Sequence, residues 1–254
     1  MSLKQLFFDK TAWNVKKLSL SYLLCLFLLL SWFFGPSKAV WDEIDIVFFK
    51  FVNQFIASSS FWQGFWALAN HNIFDWFHDV VMLAFFIQYM VKKNEKQTSY
   101  KISEGVFFCL LGGFTIILIN RYLCLDILHI QRHSPSLVCD FTIRLSEKVQ
   151  WIKTKGQSFT SYPGDHGTTA IMFAMCIWHL MGKKAGKIAS CYAVFWLMPR
   201  LVTGCHWFTD VIMGSLVIAI LVSSFAIYTP FKNLACHSLN YIFQRKKQNT
   251  MIQP

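Results

Sequence analysis

Long apolar stretches separated by short polar segments dominate the pattern along this chain. A helix that crosses the hydrocarbon layer of a membrane needs about 20 mostly apolar residues. Windows of roughly that size with few charges predict six membrane-spanning helices, at residues 18–35, 74–91, 105–122, 168–182, 187–204 and 209–229. Two shorter aromatic stretches, 48–55 and 61–69, are interrupted by polar residues and predict helices that lie along the membrane surface.

The composition agrees with a membrane protein. Hydrophobic residues make up 55% of the 254 positions and charged residues 15%, which is unlike a soluble globular domain. Neither a repeat nor a low-complexity linker divides the chain, so we predict one all-α integral membrane domain over residues 1–254. An alternative for the first apolar run is a cleaved signal peptide, because a basic segment precedes it. Its length and its Trp32-Phe33-Phe34 end favour a membrane anchor.

The basic residues orient the predicted helices, since Lys and Arg near helix ends are retained on the cytoplasmic side. Four segments on one side of the six-helix layout hold Lys4, Lys10, Lys16 and Lys17; Lys92, Lys93, Lys96 and Lys101; Lys183, Lys184 and Lys187; and Lys232, Arg245, Lys246 and Lys247. Both termini are therefore expected in the cytoplasm. The net charge of +11 then reflects topology, and nucleic-acid binding is the weaker explanation because no soluble basic domain is predicted.

The longest connection between predicted helices, residues 123–167, is expected on the periplasmic side. Six basic residues nevertheless lie on or beside it: Arg121, Arg132, Arg144, Lys148, Lys153 and Lys155. Basic residues that run against the topology rule need another reason, and an anionic ligand is the simplest one. The alternative is a solvated loop helix that touches lipid headgroups. Cys124 and Cys139 both fall in this connection, where an oxidising compartment would permit a disulfide.

The segment PRLVTGCHWFTDV places Arg200 six residues before His206 and Asp210 four residues after it. Ionisable residues at the ends of membrane helices are costly and usually functional. If His206 and Asp210 share a helical face, the carboxylate can hydrogen-bond one ring nitrogen and leave the other free. The spacing therefore predicts an oriented nucleophile or base.

The segment SYPGDHGTT stands directly before the fourth predicted span. A helix that begins here points its unpaired amides at the turn and forms a phosphate site. Gly164 permits close backbone approach, and His166 is placed to donate a proton to a leaving oxygen. Taken alone, a capping turn with an incidental histidine explains this segment slightly better. A third segment, QRHSPSL, supplies Arg132, whose guanidinium suits phosphate oxygens.

Together these three segments resemble the type-2 phosphatidic acid phosphatase superfamily, whose members carry K-x6-R-P, P-S-G-H and S-R-x5-H-x3-D. The resemblance implies a helical core like that of acid phosphatases and vanadium haloperoxidases. Leu125 stands where the family has its lysine, so Lys153 or Lys155 is expected to supply that phosphate contact. The variants R-x-S-P, S-Y-P-G-D-H-G and P-R-x5-H-W-F-T-D are similar to the lipid A 1-diphosphate synthase branch. The stretches WDEID, FFKFVNQ and NIFD extend this likeness over nearly the whole chain.

Members of that branch transfer a phosphate from undecaprenyl diphosphate to the 1-phosphate of lipid A or lipopolysaccharide, at the periplasmic face of the Gram-negative inner membrane. The resemblance implies that His206 is the nucleophile, that Asp210 fixes its tautomer, and that His166 protonates the leaving group. It also implies phosphate contacts from Arg132, Arg200, and the backbone at Gly164 and Asp165. Neither a metal nor a cofactor is implied. Undecaprenyl diphosphate, lipid A and membrane lipids are the expected partners.

Several alternatives stay open at the level of the sequence. The Asp165 carboxylate has three roles to choose from: repelling bulk anions, bonding to His166, or contacting the acceptor sugar. Asp75, His78 and Asp79 either bond to the external loop or line the acceptor site, and capping of a helix by Asp75 is equally compatible. A phosphatase that delivers the phosphate to water is the nearest alternative function. A non-catalytic lipid-binding or transport protein is the distant one, because transporters carry polar segments at the bilayer midplane.

Overall fold

The structure is a computed structural model that describes residues 13–92 and 96–252. Lys4, Lys10 and Lys93, which helped to orient the chain, lie outside the described residues. Over the described ranges the chain forms helices and contains no strand, which confirms the all-α class.

The helices follow one another along the chain with short connections, except before the eighth. Their bounds are α1 Val15–Phe33, α2 Gly35–Asn53, α3 Ser60–Ala69, α4 Asn72–Val91, α5 Thr98–Phe114 continued by π-helical turns Thr115–Ile127, α6 Pro135–Val138, α7 Leu145–Lys148, α8 Asp165–Met181, α9 Lys183–Val202, α10 with π-helical turns Asp210–Leu216 followed by Val217–Tyr228, and α11 Phe231–Ile252.

Four of the described helices are long and apolar enough to cross a membrane: α1, α4, α5 with its π-helical end, and α10. Their large apolar side chains are widely exposed, as with Leu23, Phe27 and Val80, and such surfaces suit contact with lipid tails rather than water. Helices α8 and α9 occupy the other two predicted windows. Helix α8 has only 17 residues, and α9 carries three lysines in its first turns, so the count of six spans stays a prediction.

The prediction of a separate surface helix at residues 48–55 is wrong. This stretch is the end of α2, which already begins at Gly35. Phe49 and Val52 are buried on one face of α2, in a core that includes Trp66 of α3. Asn53, one of the polar residues that interrupted the apolar pattern, is buried and donates to the backbone carbonyls of two distant segments. The second stretch, 61–69, does form the predicted helix, α3.

The long connection is shorter than predicted and runs over residues 128–164. At its start, the π-helical turns continue the apolar run of α5 as far as Ile127, and at its end α8 already begins at Asp165. This extra helix buries Cys124 instead of leaving it in a loop. Cys124 and Cys139 are both free thiols in the structure, so the disulfide that the sequence permits is not formed there.

Helices α8 and α9 form a tight antiparallel hairpin. Gly182 joins them with φ of +85°, a left-handed conformation that glycine adopts without a Cβ clash. Small residues at helical spacing, among them Ala170 and Ala174 of α8 and Ala189 and Ala193 of α9, are buried between the two helices and allow close approach. The first residues of α8 and the last residues of α9 therefore meet at one end of the hairpin.

Candidate active site

His206 lies in the turn between α9 and α10, and only 15% of its side chain is exposed. Its Nδ1 is 2.6 Å from the backbone carbonyl oxygen of Ser161. Since a carbonyl can only accept, Nδ1 carries the proton and donates it in this bond. Nε2 is therefore the unprotonated nitrogen of the neutral ring, which is what a nucleophile or base requires.

The direct hydrogen bond predicted between Asp210 and His206 is absent, because their nearest atoms are 4.0 Å apart. His206 precedes the helix instead of sharing a face with Asp210. The Asp210 carboxylate turns back and accepts the backbone N–H of Trp207 at 2.8 Å, a bond typical of the first turn of a helix. Asp210 thus fixes the turn that carries His206. Burial lowers the pKa of His206, and the negative charge of Asp210 opposes that shift.

The start of α8 lies directly against His206. A Cβ atom at Gly164 would stand 3.3 Å from Cε1 and 3.4 Å from Nδ1 of the imidazole, so the absence of a side chain lets the imidazole lie close to this backbone. The first amides of a helix have no acceptor within the helix, and the helix dipole adds positive potential there. An anionic group beside His206 would therefore meet backbone N–H donors at the start of α8.

His166, in the first turn of α8, faces the last turn of α9. Its Nε2 lies 3.1 Å from Nη2 of Arg200 and 3.2 Å from Oδ1 of Asp75, and Arg200 Nη2 is itself 3.2 Å from that oxygen. Arg200 is buried, and its other terminal nitrogen, Nη1, donates to the side chain and backbone oxygens of Asn70. A guanidinium held on one side by Asn70 thus presents its second amino group beside a histidine. Such a pair is suited to binding phosphate oxygens.

Two further residues belong to the site. The sequence left the role of Asp75 undecided, and it gave no indication of Asn70. The side chain that caps the start of α4 is His71, so the capping alternative for Asp75 is wrong. Asn70 is fully buried between Arg200 and the segment around Lys155. Asn70 is uncharged and stands in a short polar segment between two helices, so neither its spacing from other residues nor a motif indicates a functional role.

His78 and Asp79 do not join the site. His78 is buried between helices, where its Nδ1 lies 2.6 Å from the Tyr192 hydroxyl and its ring stacks on Trp196 with centroids 4.2 Å apart. Asp79 is exposed. Of the three ionisable residues near the start of α4, only Asp75 therefore contacts the two residues His166 and Arg200.

Asp165 uses its carboxylate to hold the end of α5. It accepts from the Asn120 amide at 3.0 Å and from Arg121 at 3.3 and 3.4 Å. The Arg121 side chain is 66% exposed, so solvent screens this pair and the bond from Asn120 is the firmer one. Hydrogen bonding to His166 is not the role of this carboxylate in the structure.

Arg132 is held by several protein oxygens, and its phosphate contact stays a prediction. Its Nη1 donates to Asp210 and to the Thr209 hydroxyl, each at 2.7 Å, and its Nη2 donates to Asp45 at 2.7 Å. The guanidinium also lies over the ring of Trp207, 5.1 Å from its centroid. Both terminal nitrogens therefore help to hold Asp210 and Asp45, and the guanidinium keeps further N–H groups for an anionic ligand.

The two candidate lysines lie on an extended segment before α8, and both are exposed. The ammonium of Lys155 is close enough to Asp75 to interact with its carboxylate. The side chain of Lys153 makes no hydrogen bond or ion pair with the described residues. Lys155 is therefore the lysine that stands nearer the site, and the expected contribution of Lys153 lacks support.

Comparisons with known proteins match the segments that carry these residues. Residues 114–235 match the sequence profile of the PAP2 superfamily. The chain is 30% identical over 220 residues to lipid A 1-diphosphate synthase of Escherichia coli (strain K12), an alignment that covers 87% of this chain and 90% of that relative. No solved structure matches the chain significantly. The matched range includes His166, Arg200, His206 and Asp210, whereas Asp45, Asn70 and Asp75 precede it.

Proposed function

Since this chain belongs to the PAP2 superfamily and is a membrane lipid phosphatase or phosphotransferase, we propose that it transfers the distal phosphate of undecaprenyl diphosphate to the 1-phosphate of lipid A. The observation that carries the proposal is the meeting of His206, His166, Arg200 and the start of α8 at one end of the hairpin. The printed name of the relative, a synthase of lipid A 1-diphosphate, supports lipid A as the acceptor.

In the proposed first step, Nε2 of His206 attacks the distal phosphorus and the bond to undecaprenyl phosphate breaks. The imidazole becomes a phosphohistidine and gains positive charge. Nδ1–H keeps its bond to the Ser161 carbonyl, and the Asp210 carboxylate at 4.0 Å stabilises the cation. Arg200 and the first amides of α8 would balance the charge on the equatorial oxygens of the transition state.

His166 is the proposed proton donor and acceptor. In the first step it would protonate the leaving undecaprenyl phosphate, and in the second it would accept a proton from, or orient, the 1-phosphate of lipid A that attacks the phosphohistidine. Asp75 and Arg200, at 3.2 and 3.1 Å from its Nε2, hold the ring in place. Attack by lipid A returns His206 to its neutral form and releases lipid A 1-diphosphate.

We further propose that the site faces the periplasm in a single domain of six spans in the inner membrane, with both termini in the cytoplasm. Lys183, Lys184 and Lys187 lie at the end of the hairpin opposite His166 and Arg200. Lysines at helix ends favour the cytoplasmic side, and this supports a periplasmic position for the other end.

Undecaprenyl diphosphate labelled in its distal phosphate tests the reaction. We expect purified protein to move the label onto lipid A and to release an equal amount of unlabelled undecaprenyl phosphate. Without lipid A, turnover should stop after the enzyme itself is labelled. Label that appears as free phosphate whether or not lipid A is present would replace the transferase by a phosphatase.

The pH dependence should reflect the environment of His206. Burial and the charges of His166 and Arg200 lower its pKa below the ordinary 6.5, against the opposing effects of Asp210 and the Ser161 carbonyl. Since the neutral ring is the nucleophile, activity should persist below pH 6.5 and fall only as His206 gains its proton. The acidic limb of kcat/KM against pH measures this in the free enzyme, and a limb above pH 6.5 would contradict it.

A further inference from the structure

A buried carboxylate on α2 reaches the site from a helix that precedes the matched family region. Asp45 is 1% exposed. Its Oδ1 accepts the backbone N–H of Thr209 at 2.8 Å, and its Oδ2 accepts the Thr209 hydroxyl at 2.5 Å and Nη2 of Arg132 at 2.7 Å. A single side chain of α2 thereby binds both the first turn of α10 and the loop that carries Arg132.

Arg132 extends this connection to Asp210, which lies near His206. Its Nη1 donates to Oδ1 of Asp210 at 2.7 Å, while Oδ2 of Asp210 accepts from the Trp207 backbone. Asp45, Arg132 and Asp210 therefore form one chain of bonds that ends at the residue next to His206. Both carboxylates are essentially inaccessible to solvent.

Stability alone does not explain this arrangement. The hydration lost by two buried carboxylates that share one arginine can exceed what the ion pairs return, and apolar residues of similar volume often serve as well or better. The bonds converge instead on Thr209 and Asp210, three and four residues after His206. Because small displacements of a reacting group lower rates strongly, fixing this turn has a direct catalytic consequence.

We propose that Asp45 is a positioning residue for phosphate transfer, which holds Arg132 and Thr209 and thereby fixes Asp210 and the turn that carries His206. The inference rests on the proposed function in one respect, that His206 is the reacting residue. Asp45 itself touches neither the substrate nor the imidazole.

The charge of Asp45 has a second consequence. Arg132 paired with Asp210 alone would be neutral, whereas the cluster of two carboxylates and one guanidinium carries one negative charge, and its member Asp210 lies 4.0 Å from the imidazole of His206. This negative charge favours the cation that forms when His206 is phosphorylated. Asp45 therefore keeps Asp210 electrostatically effective as well as in place.

Two variants test the bonds of Asp45 to Arg132 and to the Thr209 hydroxyl separately. Asp45→Asn keeps an oxygen for the Thr209 backbone but turns an amide N–H towards the N–H of Arg132, so it breaks the arginine link. Thr209→Val removes the hydroxyl, with its bonds to Asp45 and to Nη1 of Arg132, and leaves the Asp45–Arg132 and Arg132–Asp210 ion pairs in place. Asp42→Asn is the matched control, because Asp42 lies on the same helix with its side chain 45% exposed and pairs with Lys38.

We expect Asp45→Asn to lower kcat by about 10- to 100-fold, with KM for undecaprenyl diphosphate within about twofold of the wild type. Thr209→Val should lower kcat less, and Asp42→Asn should leave it unchanged. The acidic limb of the pH profile of Asp45→Asn should move to lower pH, because Asp210, whose negative charge raises the pKa of His206, is then held less firmly. The groups that face His206, namely Asp210, the Ser161 carbonyl, His166 and Arg200, are the same in both proteins.

The results that overturn the inference are specific. If Asp45→Asn yields less folded protein but keeps wild-type kcat and an unmoved acidic limb per folded molecule, Asp45 is purely structural. If it does not fold at all, Thr209→Val decides: a wild-type kcat there overturns the inference, and a reduced kcat with an unchanged unfolding midpoint supports it. A fully active Asp45→Asn beside an inactive His206→Ala defeats only this inference, whereas an active His206→Ala defeats the proposed function.

Discussion

Replacement of His206 by alanine should abolish phosphate transfer while the protein stays folded. Loss of a covalent nucleophile costs on the order of 10⁴-fold or more in kcat, because no other group can form the intermediate. The fold should tolerate the change, since the side chain makes one hydrogen bond, to the Ser161 carbonyl. Turnover of labelled undecaprenyl diphosphate by purified protein, with the thermal unfolding midpoint alongside, measures both effects.

Trapping the intermediate makes this test sharper. Wild-type protein incubated with the labelled donor and quenched in alkali should carry alkali-stable, acid-labile label, and His206→Ala should carry none. His237→Ala is the matched control, because His237 is an exposed histidine on α11 that packs on Tyr100, far along the chain from the site. Turnover retained by purified His206→Ala would refute the assignment of the nucleophile.

Replacement of Arg200 by lysine should lower the rate of phosphoenzyme formation by about 10³-fold, although the positive charge is kept. The guanidinium binds Asn70 through Nη1 and presents Nη2 to His166 and Asp75, and a single ammonium cannot serve both sides. Lysine is preferred to alanine as the replacement, because alanine would remove both the positive charge and the side-chain volume beside Asp75. Single-turnover kinetics with saturating donor measures the chemical step.

The control for Arg200→Lys is Arg144→Lys. Arg144 is exposed and pairs with Glu147 in the first residues of α7, so the same exchange there should leave the rate unchanged. A wild-type single-turnover rate in Arg200→Lys would mean that positive charge suffices and that the paired geometry around Asn70 and His166 has no catalytic role.

Local features of the sequence predicted much of the site. The hydropathy windows located α1, α4, α5 and α10, because a spanning helix must be apolar over its own length. His166, Gly164 and Arg200 stand in short contiguous motifs at helix ends, and the structure brings His166 and Arg200 within hydrogen-bonding distance and Gly164 against His206.

The partners of these residues were not predictable in the same way. Ser161 orients His206 through a backbone carbonyl, which every residue possesses, so the sequence carries no signal for it. Asp75 had several equally compatible roles as long as the position of α9 was unknown. The stretch at 48–55 was not predictable as part of a longer helix because Asn53, one of its polar residues, finds buried partners in segments that come much later in the chain.

The sequence by itself determined that this is a helical membrane protein of the lipid phosphatase and phosphotransferase class, and it predicted a histidine-based site. Only the tertiary structure decided that Arg132 pairs with Asp45 and Asp210, and that Ser161 rather than Asp210 bonds to His206. The physical reason is that periodicity and motif spacing report on one helix or turn at a time. The partner of a buried charge depends instead on which distant helices pack beside it, as α2 packs beside the start of α10.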